Sequence, residues 1–351
     1  MMLITPDYYS RFKCIGSPCK HNCCIGWGVD IDENSAVKYL ETNGKFGERL
    51  RKSMTVDDGY HTFIMNGRRC PFLNCENLCD IFINIGEDSL CNVCTEYPRF
   101  GTQYGALLEK GLGFSCEEAA RIILSDTEPV SFVCSETDGE DEELEELEEE
   151  DRLLLEGLLR SRKTIIEILQ ERSLSIGDRI AQALEYAKEV QEHINMNEPQ
   201  NILDTYSIKE IPPYEPEYKS VDAMLKFISG LEPMEDEWKE FVSDKRNRIS
   251  SDETYKTGLN RLGEFEYVWE QIAVYFVYRY YLNAMYDFNA LSKVKFAAVC
   301  TAMIRAMVSA YNNVSLEDIV EIVRCFSANI EHSADNMDAV YDEIHFNPEW
   351  M

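Results

Sequence analysis

The chain has 351 residues, 45% hydrophobic and 28% charged. Those proportions suit a soluble globular protein large enough to bury a core without disulfide support. A net charge of −30 argues against nucleic acid, whose phosphates require a basic surface. No uncharged apolar run approaches the ~20 residues that span a bilayer.

Taken in chain order, MMLITPDYYSRFKC has too short an apolar run for a secretory signal, which points to a cytoplasmic protein. CIGSPCKHNCC (14–24) follows, and then GVDID, where Asp32 is placed to cap a helix beginning NSAVKYL. DIFINIG (80–86) alternates like a short strand, and GALLEKGLGF (105–114) offers another. SCEEAARIILS (115–125) reads as a capped helix. Residues 126–152 then hold 14 acids against one Arg, and ETDGEDEELEELEEED (136–151) reads as a solvated boundary. Beyond it, apolar residues recur three and four apart in 151–173 and 176–194. A proline-bearing connection covers 197–218. Further helices are predicted at about 220–230, 233–248, 253–287, 290–312 and 315–332, the last opening on a Ser315/Asp318 capping box. IAVYFVYRYYLNAMY (272–286), interrupted by Arg279, reads as a buried helix.

The predicted fold class is therefore mainly α. A loop-rich, cysteine-bearing, metal-binding domain with short strands (1–125) and an acidic linker (126–150) precede an all-α helical bundle (151–351). Ten of the 13 cysteines fall between 14 and 116. Cys14, Cys19 and Cys23 follow C-x4-C-x3-C, with Cys24 adjacent. Cys70, Cys75 and Cys79 repeat that spacing, Cys91 and Cys94 form C-x2-C, and Cys116 stands alone. Thiols so close in a reducing compartment point to metal rather than disulfides. All-thiolate sites suit iron–sulfur clusters or zinc, and spacing alone does not separate them. Adjacent Cys23 and Cys24 cannot easily aim both sulfurs at one tetrahedral ion, so one is free to serve a second metal. Cys134, Cys300 and Cys325 sit in apolar or helical contexts and read as buried small hydrophobes.

CIGSPCKHNCCIGWGVDID, CPFLNCENLC, LCNVCTEYPRF and FSCEEAARIIL, in that order, resemble the flagellin lysine-N-methylase family and its overlapping cysteine-rich zinc- or iron-chelating domains. The resemblance covers about residues 10–125, while the helical remainder matches in character through FEYVWEQIAVYFVYRYY. It implies transfer of methyl groups from S-adenosylmethionine to lysines of flagellin, with a 4Fe–4S cluster and zinc as the alternative. Glu117 stands where the pattern has proline, and Thr95 where it has a basic residue. The competing reading is a non-catalytic iron- or zinc-binding module or adaptor with a structural metal.

The chemistry so implied constrains the residues. A lysine must lose its proton before it can attack, and the sulfonium methyl is already activated. A polar displacement therefore needs no metal, and the C-x3-C-x2-C signature associated with radical enzymes is absent. No GxGxxG, P-loop or H-E-x-x-H motif is present either. Tyr97 and Asp30 stand as catalytic candidates. Trp27, Asp32, Arg99 and Arg121 stand as cofactor-binding candidates, through a π face for the sulfonium, a carboxylate for the ribose and cations for the carboxylate. Arg121 has an alternative partner in Glu117 or Glu118. Cys14, Cys19, Cys23, Cys24, Cys70, Cys75, Cys79, Cys91, Cys94 and Cys116 are the metal-ligand candidates. Of the five histidines only His21 lies inside a cysteine cluster.

Overall fold

The computed structural model describes residues 1–26, 28–57, 59–137, 147–347 and 350. Its strands are β1 (Met2–Pro6), β2 (Asp30–Ile31), β3 (Met54–Asp57), β4 (Tyr60–Phe63), β5 (Arg99–Tyr104), β6 (Leu107–Leu112) and β7 (Phe132–Glu136). Helices α1 (Glu33–Glu41), α2 (Gly44–Lys52), α3 (Asp80–Ile85), α4 (Asn92–Glu96) and α5 (Glu117–Leu124) lie among them. The helical half follows, with α6 (Glu149–Leu169), α7 (Ile176–Asn195), α8 (Tyr218–Gly230), α9 (Trp238–Arg248) and α10 (Asp252–Asn260). It is completed by α11 (Glu266–Tyr280), α12 (Ala284–Asp287), α13 (Ala290–Ser309), α14 (Leu316–Ile330) and α15 (Ala334–Phe346). The protein is mainly helical with some strands. Among the described residues no helix is long and apolar enough to cross a membrane.

Two cores organise the chain. In the larger, α13 is buried on all sides, with Phe296, Cys300, Met303, Ile304 and Met307 all fully enclosed, which marks it as the central helix. α6 turns Leu158, Ile165 and Leu169 toward the same core. Its Gly157 lets the chain at Pro199 come close, since a Cβ there would meet the Pro199 carbonyl oxygen at 2.7 Å. This core continues into the sheet β5-β6-β1-β7, in which only β1 and β6 run parallel. Tyr8, Phe12, Leu107, Leu112, Phe114 and Ile123 belong to it, so it does not stop at residue 125. The smaller core gathers Val29, Ile31, Tyr39, Leu50, Phe63, Phe72 and Ile81 beneath the second sheet, β2-β4-β3.

DIFINIG is not a strand but α3. Burial explains the difference: Ile81 and Ile85, four apart, face the small core, while Phe82 and Ile83 are exposed. Gly86, at φ +89°, ends the turn. The helix predicted over 253–287 is instead α10, α11 and α12, parted by a turn at Gly263–Phe265 and another at Tyr281–Asn283. Helix α15, capped by Ser333, and strands β1 and β7 were not foreseen. Cys300 and Cys325 are buried as expected, but Cys134 is exposed because β7 is an edge strand with most of its residues in solvent. Of the acidic stretch, residues 138–146 lie outside the described residues, and Glu149–Asp151 form the first turn of α6.

The sheet is tied to α6 by a buried ion pair. Arg162 donates through both terminal nitrogens to Glu109, one contact at 2.7 Å, and to the Tyr278 carbonyl at 3.2 Å; both charged side chains are only 6% exposed. Arg162→Ala leaves the Glu109 carboxylate buried without its partner. It should cost about 3–5 kcal/mol in urea unfolding, whereas Glu109→Leu with Arg162→Met should lose less. An unchanged midpoint for the single variant would contradict this pairing.

Candidate active site

The thiols reach their places through the loops around the small core. Cys70 donates its amide to the Cys24 carbonyl at 2.8 Å, and a bridge pairs Leu73 with Cys79. Cys91 precedes α4, Cys94 lies within it, and their sulfurs are 3.4 Å apart. Cys70 and Cys91 are buried in the small core, with Cys24, Cys79 and Cys94 packed against it. A second neighbourhood forms where the 14–23 loop meets the start of α5. The Lys20 amide donates to Glu117 at 3.0 Å, beside Cys116 at the N-cap. Burial pushes the Cys19 thiol up to about 12, with Glu117, Cys116 and Cys23 adding to the effect. Burial likewise raises Cys116 to about 11, reinforced by Cys23 and Cys14 against nearby backbone donors. Cys75 is exposed.

Among the described residues no group of three or more His, Cys, Asp or Glu side chains stands as a ligand shell around one ion. The donor chemistry nevertheless fits a metal–sulfur group. Thiols are the soft donors that metal–sulfur groups take, and a bound metal cation converts them to thiolates.

The cysteine loops are clamped onto α14. His21 Nε2 lies 2.8 Å from Glu321, and Arg324 binds Glu235 at 2.8 and 3.1 Å and Glu321 at 3.0 Å. Arg121 makes two 3.0 Å contacts to Glu317 and one of 2.5 Å to Glu118. Behind this clamp lies a buried network. The Glu331 side chain, with no exposed surface, accepts from the Tyr275 hydroxyl at 2.9 Å and the Tyr280 hydroxyl at 2.5 Å, and Arg279 stands 3.2 Å away. Arg279 also donates to the Tyr275 oxygen and lies over Phe100. A side chain at Gly113 would crowd Arg279, its Cβ lying 3.3 Å from the guanidinium. The Tyr97 hydroxyl donates to Ser115 at 3.3 Å, and its ring meets His332 edge-on, centroids 6.4 Å apart.

His332 keeps an exposed edge. Protein still surrounds enough of its ring that burial holds its pKa below the ordinary histidine value, helped by Arg279 and opposed by Glu331 and Glu235. Burial also raises the Tyr97 phenol, keeping it protonated. The seam therefore presents a neutral imidazole at an exposed edge, with the Tyr97 phenol turned in to buried Ser115, beside a fixed buried charge.

Of the sequence candidates, Tyr97 joins this seam and Arg121 is consumed in ion pairs beside it. Asp30 is exposed on β2. Asp32 caps α1 through the Ser35 amide at 3.0 Å and also accepts from the Asn92 amide at 2.9 Å, so both carboxylate oxygens are occupied. Arg99 lies over Phe12 and Tyr9 and donates to the Thr95 carbonyl at 3.2 Å. Trp27 lies outside the described residues. Sequence reading missed Ser115, Tyr275, Arg279, Tyr280, Glu331 and His332. The available signal was Arg279 itself, a charge set among buried aromatics that needs a buried acid. Elsewhere, an open groove of about 690 Å³ is lined by Glu185, Lys188, Tyr214, Glu215, Lys219 and Trp350 among others; it contains no cysteine and none of the seam residues.

The profile of the FliB lysine N-methylase C-terminal domain matches residues 162–350. The chain belongs to this family. The matched region holds Arg279, Glu321, Arg324, Glu331 and His332, the helical side of the seam. The chain is similar to the lysine-N-methylase of Salmonella typhimurium, 24% identical over 36% of this chain and 33% of that protein. It is also similar to the flagellar biosynthetic protein FliU of Salmonella muenchen, 26% identical over 36% of this chain and 79% of that protein. A lysine-N-methylase of Salmonella choleraesuis matches at 24% identity over the same shares as the first. The chain thus spans about a third of the length of the two lysine-N-methylases. No solved structure matches it.

The clamp has an acid dependence. Burial pushes the Glu321 carboxyl up, but His21 and Arg324 outweigh it and hold the pKa at about 2, below its ordinary 4.5. A carboxyl depressed on folding stabilises the native state above its unfolded pKa, and that contribution is lost as pH falls through the folded value. Glu321→Gln should flatten the loss of urea stability between about pH 5 and pH 2. An identical slope in the variant would contradict the assignment.

Proposed function

We propose that this chain is a protein-lysine N-methyltransferase acting on flagellin in the cytoplasm, with S-adenosylmethionine as methyl donor and an iron–sulfur cluster, of the 4Fe–4S type, held by its cysteines. The observation that carries this reading is the seam. An exposed imidazole, met edge-on by the Tyr97 ring with the thiol of Cys116 nearby, stands beside the buried Glu331–Arg279 network, and His332, Glu331 and Arg279 lie in the region that matches a lysine N-methylase family. The flagellar name of one relative and the lysine-methylase names of the others support the choice of substrate. The acidic surface suits a cationic target.

At pH 7 only about one lysine in a few thousand is neutral, so the substrate ammonium needs a proton acceptor. In this proposal His332, uncharged and reachable, takes that proton. The freed nitrogen lone pair attacks the methyl carbon in line from about 3 Å. A C–N bond forms, the C–S bond breaks, and its electron pair returns to sulfur to leave a neutral thioether. Tyr97 stays protonated and offers its ring to the sulfonium. The buried Arg279–Glu331 pair fixes the helix end that carries His332. The cluster, when bound by the cysteines of the 14–116 segment, supplies a rigid, charged scaffold that sets the loops against α14.

Incubation of the anaerobically purified full chain with flagellin and methyl-labelled S-adenosylmethionine tests this. Flagellin lysines carrying the label should appear. Absence of label in flagellin would overturn the reading. His332→Gln should lower the initial rate about 100-fold at neutral pH, with much of the loss recovered at high pH. A variant with the wild-type rate and pH profile would remove the histidine from the mechanism.

A further inference from the structure

We propose that residues 232–236, the turn joining α8 to α9, form a wall of the seam, with Glu235 as the carboxylate that steadies the imidazolium of His332 and Asn329 as the buried residue that positions it. The inference deepens the function proposed above and rests on its choice of His332 as proton acceptor. When the ammonium of a bound lysine gives its proton to the imidazole, a second cation appears near Arg279. A carboxylate outside the closed Arg279–Glu331 network offsets it.

Two buried side-chain amides are committed to this one turn. Asn329, with no exposed surface, accepts the Met234 and Glu235 amides through Oδ1, each at 3.0 Å, and donates to the Cys325 carbonyl at 2.8 Å. Asn336, also buried, donates to the Glu232 and Asn329 carbonyls, each at 2.8 Å. From the other side Arg68, in the cysteine-bearing segment, donates to the Met234 carbonyl at 3.1 Å and pairs with Asp236 at 2.5 Å. A buried amide is costly unless its hydrogen bonds are made, so both asparagines hold the turn in one place.

That anchoring brings Glu235 to the end of α14, since Asn329 stands three residues before His332. The Glu235 carboxylate takes both terminal nitrogens of Arg324, at 2.8 and 3.1 Å, and Arg324 lies close to the Tyr97 phenol, whose ring meets His332. The charged groups that face His332 are Glu331 beside it, Arg279 from α11 and Glu235 from the turn. Glu331 is enclosed and committed to Arg279, Tyr275 and Tyr280. Glu235 keeps a side chain 36% exposed and shares Arg324 with Glu321, so this group retains negative charge after pairing. It is the carboxylate left to answer a new cation at the seam.

The test is an NMR titration of the full chain carrying isotope-labelled histidine, without flagellin or methyl donor. His332→Gln identifies the His332 signal among the five histidines. Glu235→Gln should lower the His332 pKa by about half a pH unit, because a nearby negative charge favours the imidazolium. Glu317→Gln, which removes the same charge from the first turn of α14, should leave it in place. Asn329→Ala should move it in the same direction as Glu235→Gln and speed hydrogen exchange at the Met234 and Glu235 amides. An unmoved or raised His332 pKa in Glu235→Gln would overturn the proposal. Rapid exchange of those two amides in the unaltered chain would overturn the role of Asn329, even where Asn329→Ala fails to fold. A His332 that ignores Glu235 while flagellin is still methylated removes this coupling alone, and absence of methyl transfer with the pKa shift present removes the function alone.

Discussion

A carboxylate with no exposed surface has to be met by donors on every side, and Glu331 is the group that imposes this requirement here. Tyr275, Arg279 and Tyr280 answer it from successive turns of α11. That fixes where the end of α14 stands against α11. Gly113 leaves room for the Arg279 guanidinium, which brings the end of β6 and the approach to Cys116 beside it. Burial raises both tyrosines well above their ordinary values, so they remain hydrogen-bond donors. The positions of Tyr97, Ser115 and His332 follow from this one constraint. A buried charge network satisfied throughout holds its geometry more tightly than apolar packing does.

The long helices could be read from sequence because their periodicity and caps are local. α7 begins at a Ser175 that accepts from Asp178, and α14 at the Ser315/Asp318 box. The short elements could not. β1 pairs with β6 and β7 more than a hundred residues away, and no local pattern announces such a partner. DIFINIG alternates, yet only the i, i+4 pair finds a core. The same division runs through the site. Close cysteine spacing exposed the thiols, whereas the seam draws on residues 97, 115, 279, 331 and 332, which become neighbours only on folding. Asp32 was visible as a helix cap, but its second bond, to Asn92 at the start of the CxxC helix, was not.

The proposed roles divide along the same line. The cysteine loops supply sulfur and the aromatic face of Tyr97, and the FliB-type helices supply a histidine and the buried pair that orients it. His21 and Arg121 join the two, and Arg324 holds Glu321 in place for His21. A single site built from two sequence regions would explain why the family's helical domain and the thiol-rich segment occur in one chain. It would also give the metal a positioning role compatible with polar methyl transfer.

Amide hydrogen exchange of the full chain, with and without a lysine-bearing flagellin peptide and S-adenosylhomocysteine, tests the shared seam most directly. The account predicts new protection at residues 95–98, 113–118 and 329–333 together. Protection confined to the groove around Tyr214 and Trp350, with the seam unchanged, would contradict it.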